Sequence, residues 1–114
     1  MHVNDNAACV LVYGCDPLLL KTRAKVIETR GFRTCEANSE TELLERLKLA
    51  RCNVLVLCHT LSEDEAERAS RLARQEIPLI KIIAMAHSST AFDINIGGFA
   101  KPYELLDALA RVIH

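Results

Sequence analysis

Aromatic residues are scarce: the chain has no tryptophan, two tyrosines and three phenylalanines. With so little to stack on bases, and with 14 basic against 15 acidic residues spread along the chain, it offers neither the platform nor the basic stripe of a nucleic-acid binder. No apolar run approaches the roughly 20 residues of a membrane span. Residues 1–8 are too polar for a signal peptide, so the expected compartment is the cytoplasm, and neither nucleic acid nor membrane is an expected partner. No C-x-x-C pair occurs among the five cysteines at 9, 15, 35, 52 and 58. Their odd number and spacing argue against a secreted disulfide framework and a simple zinc ribbon, and most read as small buried hydrophobes. No Gly-rich loop follows the first apolar run, which removes the usual phosphate-binding motif. No internal repeat or low-complexity tract is present, and 114 residues, half of them hydrophobic, suit one domain with one core.

What is present centres on Asn53-Val54-Leu55-Val56-Leu57-Cys58-His59. Four consecutive aliphatics between polar residues and two amphipathic segments read as a strand buried on both faces in the middle of a parallel sheet. Chemistry in such sheets gathers at the carboxyl ends of the strands, which here places Cys58 and His59 in view.

The rest of the chain supplies the frame. Residues 1–7 are polar and expected to form a flexible tail, leaving 8–114 as the domain. Ala8 to Tyr13 is a second two-sided strand ended by Gly14. Asp16-Pro17 then gives an N-cap and an N1 proline, and Leu20, Ala24 and Ile27 form the buried stripe of a helix closed by Gly31. Phe32 to Glu36 alternates like a strand nearer the sheet edge. Ser39-Glu40-Thr41-Glu42 is a capping box opening a helix with Leu43, Leu47 and Ala50 inward, and Ser62-Glu63-Asp64-Glu65 opens a third helix with Ala66, Ala69 and Ala73 inward. Ile77-Pro78 stops it and Leu79 to Met85 reads as a fourth strand. Residues 87–100 leave room for a fifth strand around Gly98-Phe99-Ala100 but not for a full helical crossover, so a helix there must be short or absent. Lys101-Pro102 begins a last helix with Leu105, Leu106, Leu109, Val112 and Ile113 at helical spacing. This order predicts a flavodoxin-like, doubly wound five-stranded parallel sheet of order 2-1-3-4-5, with the loops after Tyr13, Leu57 and Met85 meeting at one site.

At Val10 to Pro17, at Asn53 to Cys58, and at Phe99-Ala100-Lys101-Pro102 before an amphipathic helix, the chain resembles the CheY-like receiver domain of two-component response regulators over nearly its full length. The resemblance implies a cis Lys101–Pro102 bond. It also implies a phosphorylation site: two acidic residues for Mg²⁺ after the first strand, a phosphoacceptor Asp after the third, a hydroxyl after the fourth and a Lys after the fifth. Those positions map onto Gly14 and Cys15, Cys58, Ala86 and Lys101, and only the Lys survives. A one-residue slip would make Asp16 one of the acids, although Asp16 is better explained as an N-cap. Hard oxygen ligands for Mg²⁺ and a carboxylate nucleophile are thereby lost. The sequence therefore reads as a degenerate receiver without catalytic residues, metal or cofactor: a phosphorylation-independent interaction module whose partner is a histidine kinase, another regulator or an output protein, with a homodimer as a further possibility.

The alternative uses the thiols. Cys15, Cys58, His59 and His87 fall near Lys101, as a redox sensor would need, and Cys15, Cys58 and His87 could hold a soft metal. A Cys15–Cys58 disulfide would need Cα atoms within about 7 Å. Against this, Cys58 reads as a space-filling core residue and His59, next in an extended chain, would point away from it. Cys9 and Cys35 read as small buried residues on adjacent strands, and Lys101 as a cation paired with Glu104 or Asp16.

Overall fold

The structure is a computed structural model that describes residues 8–49, 51–87, 89, 91–98 and 100–113. The expected tail, Ala50 of the second helix and Phe99 lie outside the described residues. Elements follow as β1 (Cys9–Tyr13), α1 (Pro17–Glu28), β2 (Arg33–Ala37), α2 (Glu40–Leu49), β3 (Val54–Leu57), α3 (Glu63–Glu76), β4 (Lys81–Met85), β5 (Ile94–Ile96) and α4 (Pro102–Ile113). All strand pairs are parallel, in the order β2-β1-β3-β4-β5. No helix among the described residues is long and apolar enough to cross a membrane.

Period-two alternation in β1, β3 and β4 sends side chains to both faces, and each face is covered. Val10, Val12, Val54, Val56, Ile83 and Met85 pack with α1 and α4, while Leu11, Tyr13, Leu55, Leu57, Ile82 and Ala84 pack with α2 and α3. Both predicted N-cap stretches of α1 and α3 form: Asp16 Oδ1 accepts from Leu18 and Leu19 N–H at 3.0 and 3.4 Å, and Ser62 and Glu65 make a complete capping box. At α2 the box is shifted. Ser39 Oγ accepts from Glu42 N–H, but the Glu42 carboxylate reaches the N–H of Asn38 and not of Ser39.

Three expectations are corrected. The fifth strand is Ile94–Ile96, ahead of Gly98-Phe99-Ala100, because Asp93 anchors it: its N–H donates to the Ile82 carbonyl, its carboxylate accepts the Ile82 N–H at 2.7 Å, and Arg74 pairs with it at 3.0 Å. Ile94 and Ile96 then turn into the α4 side of the core, which glycines could not fill. Leu79, placed in the fourth strand by its apolarity, is 88% exposed, since a turn from Ile80 N–H to the Ile77 carbonyl delays β4 to Lys81. No peptide bond among the described residues is cis; with a trans bond Lys101 caps α4, its carbonyl accepting from Glu104 and Leu105 and its N–H donating to the Glu104 carboxylate at 3.0 Å.

Between β4 and β5 no helix occurs among the described residues; Phe92 is buried there and Ala91 packs beside it against the α2/α3 side. β4 leaves the sheet through Ala86, the one described non-glycine residue with a positive φ, +68°. An L-residue is strained in that conformation by about 1–2 kcal/mol, part of which glycine would give back in the unfolded chain. Ala86→Gly is therefore expected to stabilise the fold by about 0.5–1 kcal/mol, read as a higher urea midpoint at unchanged slope; a lower midpoint would show that Ala86 is unstrained.

Candidate functional site

The carboxyl ends of the strands bring together Gly14 and Cys15 after β1, Cys58, His59 and Thr60 after β3, Ala86 and His87 after β4, and Lys101 before α4. The grouping is held by backbone bonds that extend the sheet: Cys58 N–H donates to the Tyr13 carbonyl at 2.9 Å, and Ala86 N–H to the Ile96 carbonyl at 2.8 Å. Cys15 N–H is taken by Thr60 Oγ1 at 2.9 Å, which ties the β1 loop to the β3 loop.

Two glycines let these loops close. A Cβ on Gly14 would lie 2.9 Å from both Cys58 Cβ and Thr60 Oγ1, so the first of the expected acidic positions has no room for a side chain. A Cβ on Gly98 would lie 2.9 Å from Ala86 Cβ and 3.2 Å from His59 Cβ, so the loop after β5 sits directly on the positions where a hydroxyl and a histidine were considered.

Cys58 is buried on the α1 side of the sheet, with the guanidinium of Arg23, nearly two turns into α1, close enough to act on its sulfur. Burial pushes the Cys58 thiol up to about 11, and Arg23 opposes that shift without overcoming it. Arg23 Nη2 also donates to His59 Nδ1 at 3.1 Å. His59 therefore shares the site and does not point away from it: β3 ends at Leu57, and the turn closed by Leu61 N–H on the Cys58 carbonyl breaks the alternation that the extended-chain reading assumed. A cleft of about 150 Å³ between α1 and α4, lined by Leu19, Arg23, Val26, Met85, Lys101 and Leu105, runs from this point to Lys101. Arg23 escaped the sequence reading. The available signal was its place three residues after Leu20, on the flank of the buried stripe.

The remaining residues fall as follows. Cys15 is exposed, and its thiol is raised by the desolvation it does undergo and by the Glu65 carboxylate. Asp16 is occupied as the α1 cap. Lys101 is exposed; Glu104 takes its backbone N–H, and no ion pair among the described residues involves its ammonium. His87 is only 7% exposed and neither ring nitrogen meets a hydrogen-bond partner among the described residues. All five cysteines are free thiols, so Cys15 and Cys58 are not joined.

This donor set does not suit Mg²⁺. The loops present a glycine, two thiols and an alanine, with the Arg23 and Lys101 cations beside them, where the ion would need hard oxygens, and the nearby Asp16 and Glu65 carboxylates are each committed to a helix cap. Nor do Cys15, Cys58 and His87 make a soft-metal site: the trio of donors among the described residues close enough to share an ion is Cys9, Cys35 and Cys52, at the opposite edge of the sheet.

Neither a protein-family model nor a curated protein sequence matches the chain. Solved structures do. A CheY-like response regulator receiver domain protein from Methanospirillum hungatei superposes with a TM-score of 0.81 at 18% identity, over 92% of each chain. Chemotaxis protein CheY4 of Vibrio cholerae gives 0.81 at 16% identity, over 93% of this chain and 98% of its own. A response regulator protein from Burkholderia pseudomallei, solved with a phosphorylated aspartic acid and a calcium ion, gives 0.74 at 18% identity, over 90% of this chain and 66% of its own. The chain has the fold of CheY-like response regulator receiver domains.

Proposed function

We propose that residues 8–114 are a degenerate receiver, a non-enzymatic module of two-component signalling that binds a protein partner without being phosphorylated. The observation that carries this reading is the chemistry of the carboxyl edge: Gly14, Cys15 and Cys58 stand where a phosphorylated receiver needs acids, and the Arg23 guanidinium, bonded to His59, lies near the thiol of Cys58. The similar Burkholderia pseudomallei structure carries a phosphorylated aspartic acid and a calcium ion. Here Cys58 has no carboxylate to phosphorylate, and an arginine cation lies beside it in place of ligands for a metal cation.

The surface that supports partner binding runs along β5. With no described helix between β4 and β5, a groove of about 720 Å³ lies open between β5 and α4, with Ile94, Ile96 and Leu106 in it, Tyr103 63% exposed, and Arg30 and Arg111 at its rim. An aromatic anchor among aliphatics with arginine at the edge is the composition of a protein interface. A histidine kinase, another regulator, an output protein or a second copy would each meet it. The thiol-sensor alternative loses support from the high pKa of Cys58, since the thiol and not the thiolate is held at neutral pH.

Intact-mass analysis after incubation with acetyl phosphate and Mg²⁺ tests the reading. The expected spectrum is that of the unmodified chain; a stoichiometric phosphoryl adduct on any residue would overturn it.

A further inference from the structure

The amino-terminal edge of the sheet, remote from the site described above, carries a second cluster. Cys9 opens β1, Cys35 lies in β2 opposite Leu11, and Cys52 immediately precedes β3. Parity puts Cys9, Leu11 and Cys35 on the same face, toward α2 and α3. Cys52 is brought to them by its neighbour: Asn53 N–H donates to the Cys9 carbonyl at 2.8 Å, while Asn53 Oδ1 accepts the Cys9 N–H at 2.8 Å. This two-way clamp fixes the residue before β3 against the first residue of β1. The three sulfurs consequently lie within 4.8 Å of one another, with Cys35 Sγ and Cys52 Sγ 3.9 Å apart.

We propose that Cys9, Cys35 and Cys52 bind one thiophilic d¹⁰ cation, Cu(I) in three-coordination or Zn(II) with a solvent molecule as fourth ligand. Metal–sulfur bonds of about 2.3 Å set sulfurs about 3.8–4.0 Å apart in tetrahedral or trigonal geometry. The Cys35–Cys52 separation already meets that spacing, and the other two pairs need to close by less than about 1 Å. Three soft donors without a carboxylate select such cations over Mg²⁺ or Ca²⁺. Cys9 and Cys52 are buried and Cys35 is half-buried, which shields the site while leaving one sulfur as the entry point. Arg33 lies near enough to Cys9, and Arg46 to Cys35, to offset part of the charge that three thiolates bring. Binding displaces the sulfhydryl protons to the buffer, up to three per cation, with no change in oxidation state.

The proposal is independent of the receiver reading and is tested separately. Reduced, full-length protein is titrated anaerobically with Cu(I) against a competing chelator, and in parallel with Zn(II) against its own. The expected result is one equivalent of at least one metal withdrawn from the chelator, with affinity lowered at least hundredfold by Cys35→Ser and unchanged by Cys15→Ser; which metal binds decides between three and four ligands. Alkylation mapping of the wild-type chain needs no variant: bound metal is expected to protect Cys9, Cys35 and Cys52 and leave Cys15 reactive. Failure to bind either metal at one equivalent, or protection of Cys15 and Cys58 in place of the three, overturns the proposal.

Discussion

Gly14→Asp is expected to cost the fold about 3 kcal/mol and to confer no affinity for Mg²⁺. The position is buried, and the first side-chain carbon would stand 2.9 Å from Cys58 Cβ and from Thr60 Oγ1. Cys58 cannot swing aside easily, because the contact is to its Cβ and its N–H is tied to the Tyr13 carbonyl. Thr60 Oγ1 is equally committed, since it accepts the Cys15 N–H. Overpacking of this kind costs about 1–3 kcal/mol, and a carboxylate buried beside a thiol adds the desolvation of a charge. Even if the loops tolerated it, the new carboxylate would be the sole acid aimed at the site, too few hard ligands for the ion. Urea unfolding reads the first effect and calorimetric titration with Mg²⁺ the second. A variant as stable as the parent would mean that the two loops can part, and a measurable Mg²⁺ affinity would revive the phosphorylated receiver.

The thiol of Cys58 should be nearly inert at pH 8. With its pKa pushed up to about 11 by burial from an ordinary value of 9.0, roughly one molecule in a thousand carries the thiolate against about one in ten, so alkylation is expected to be about a hundredfold slower than in the urea-unfolded chain. The same shift makes stability depend on pH. The folded state keeps a proton that the unfolded state releases between about 9 and 11, so the contribution of Cys58 is complete below about 9 and falls as pH rises through that window, by up to about 3 kcal/mol in all. The difference between the stability curves of the parent and Cys58→Ala isolates this term. Arg23→Met removes the opposing cation and should slow alkylation further. Rapid alkylation of native Cys58 at pH 8 would show that Arg23 prevails over burial, and would bring the thiol sensor forward.

Features governed by neighbours within a few residues were legible in the amino-acid order alone. Two-sided strands, alanine and leucine stripes, the Asp16 and Ser62 caps and the short passage after Met85 all depend on local periodicity and backbone donors, and they suffice to place five strands and four helices in the observed order. Gly14, Cys15, Cys58, Ala86 and Lys101 share one edge because parallel connectivity sends every β-to-α loop there. Which side chains touch was settled by long-range packing. Arg23 reaches His59 from α1, which packs over β1 and β2, because the loop after β3 turns back toward it, an arrangement that no spacing within α1 encodes. Gly98 presses on Ala86 and His59 across the sheet, and the fifth strand settles at Ile94–Ile96 because Asp93 finds Arg74 and the Ile82 N–H far away in the chain. The three sulfurs of Cys9, Cys35 and Cys52 show the same physics. Their separation in sequence carries no metal-site spacing, yet strand register and the Asn53 clamp, both long-range pairings, bring them within reach of a single ion.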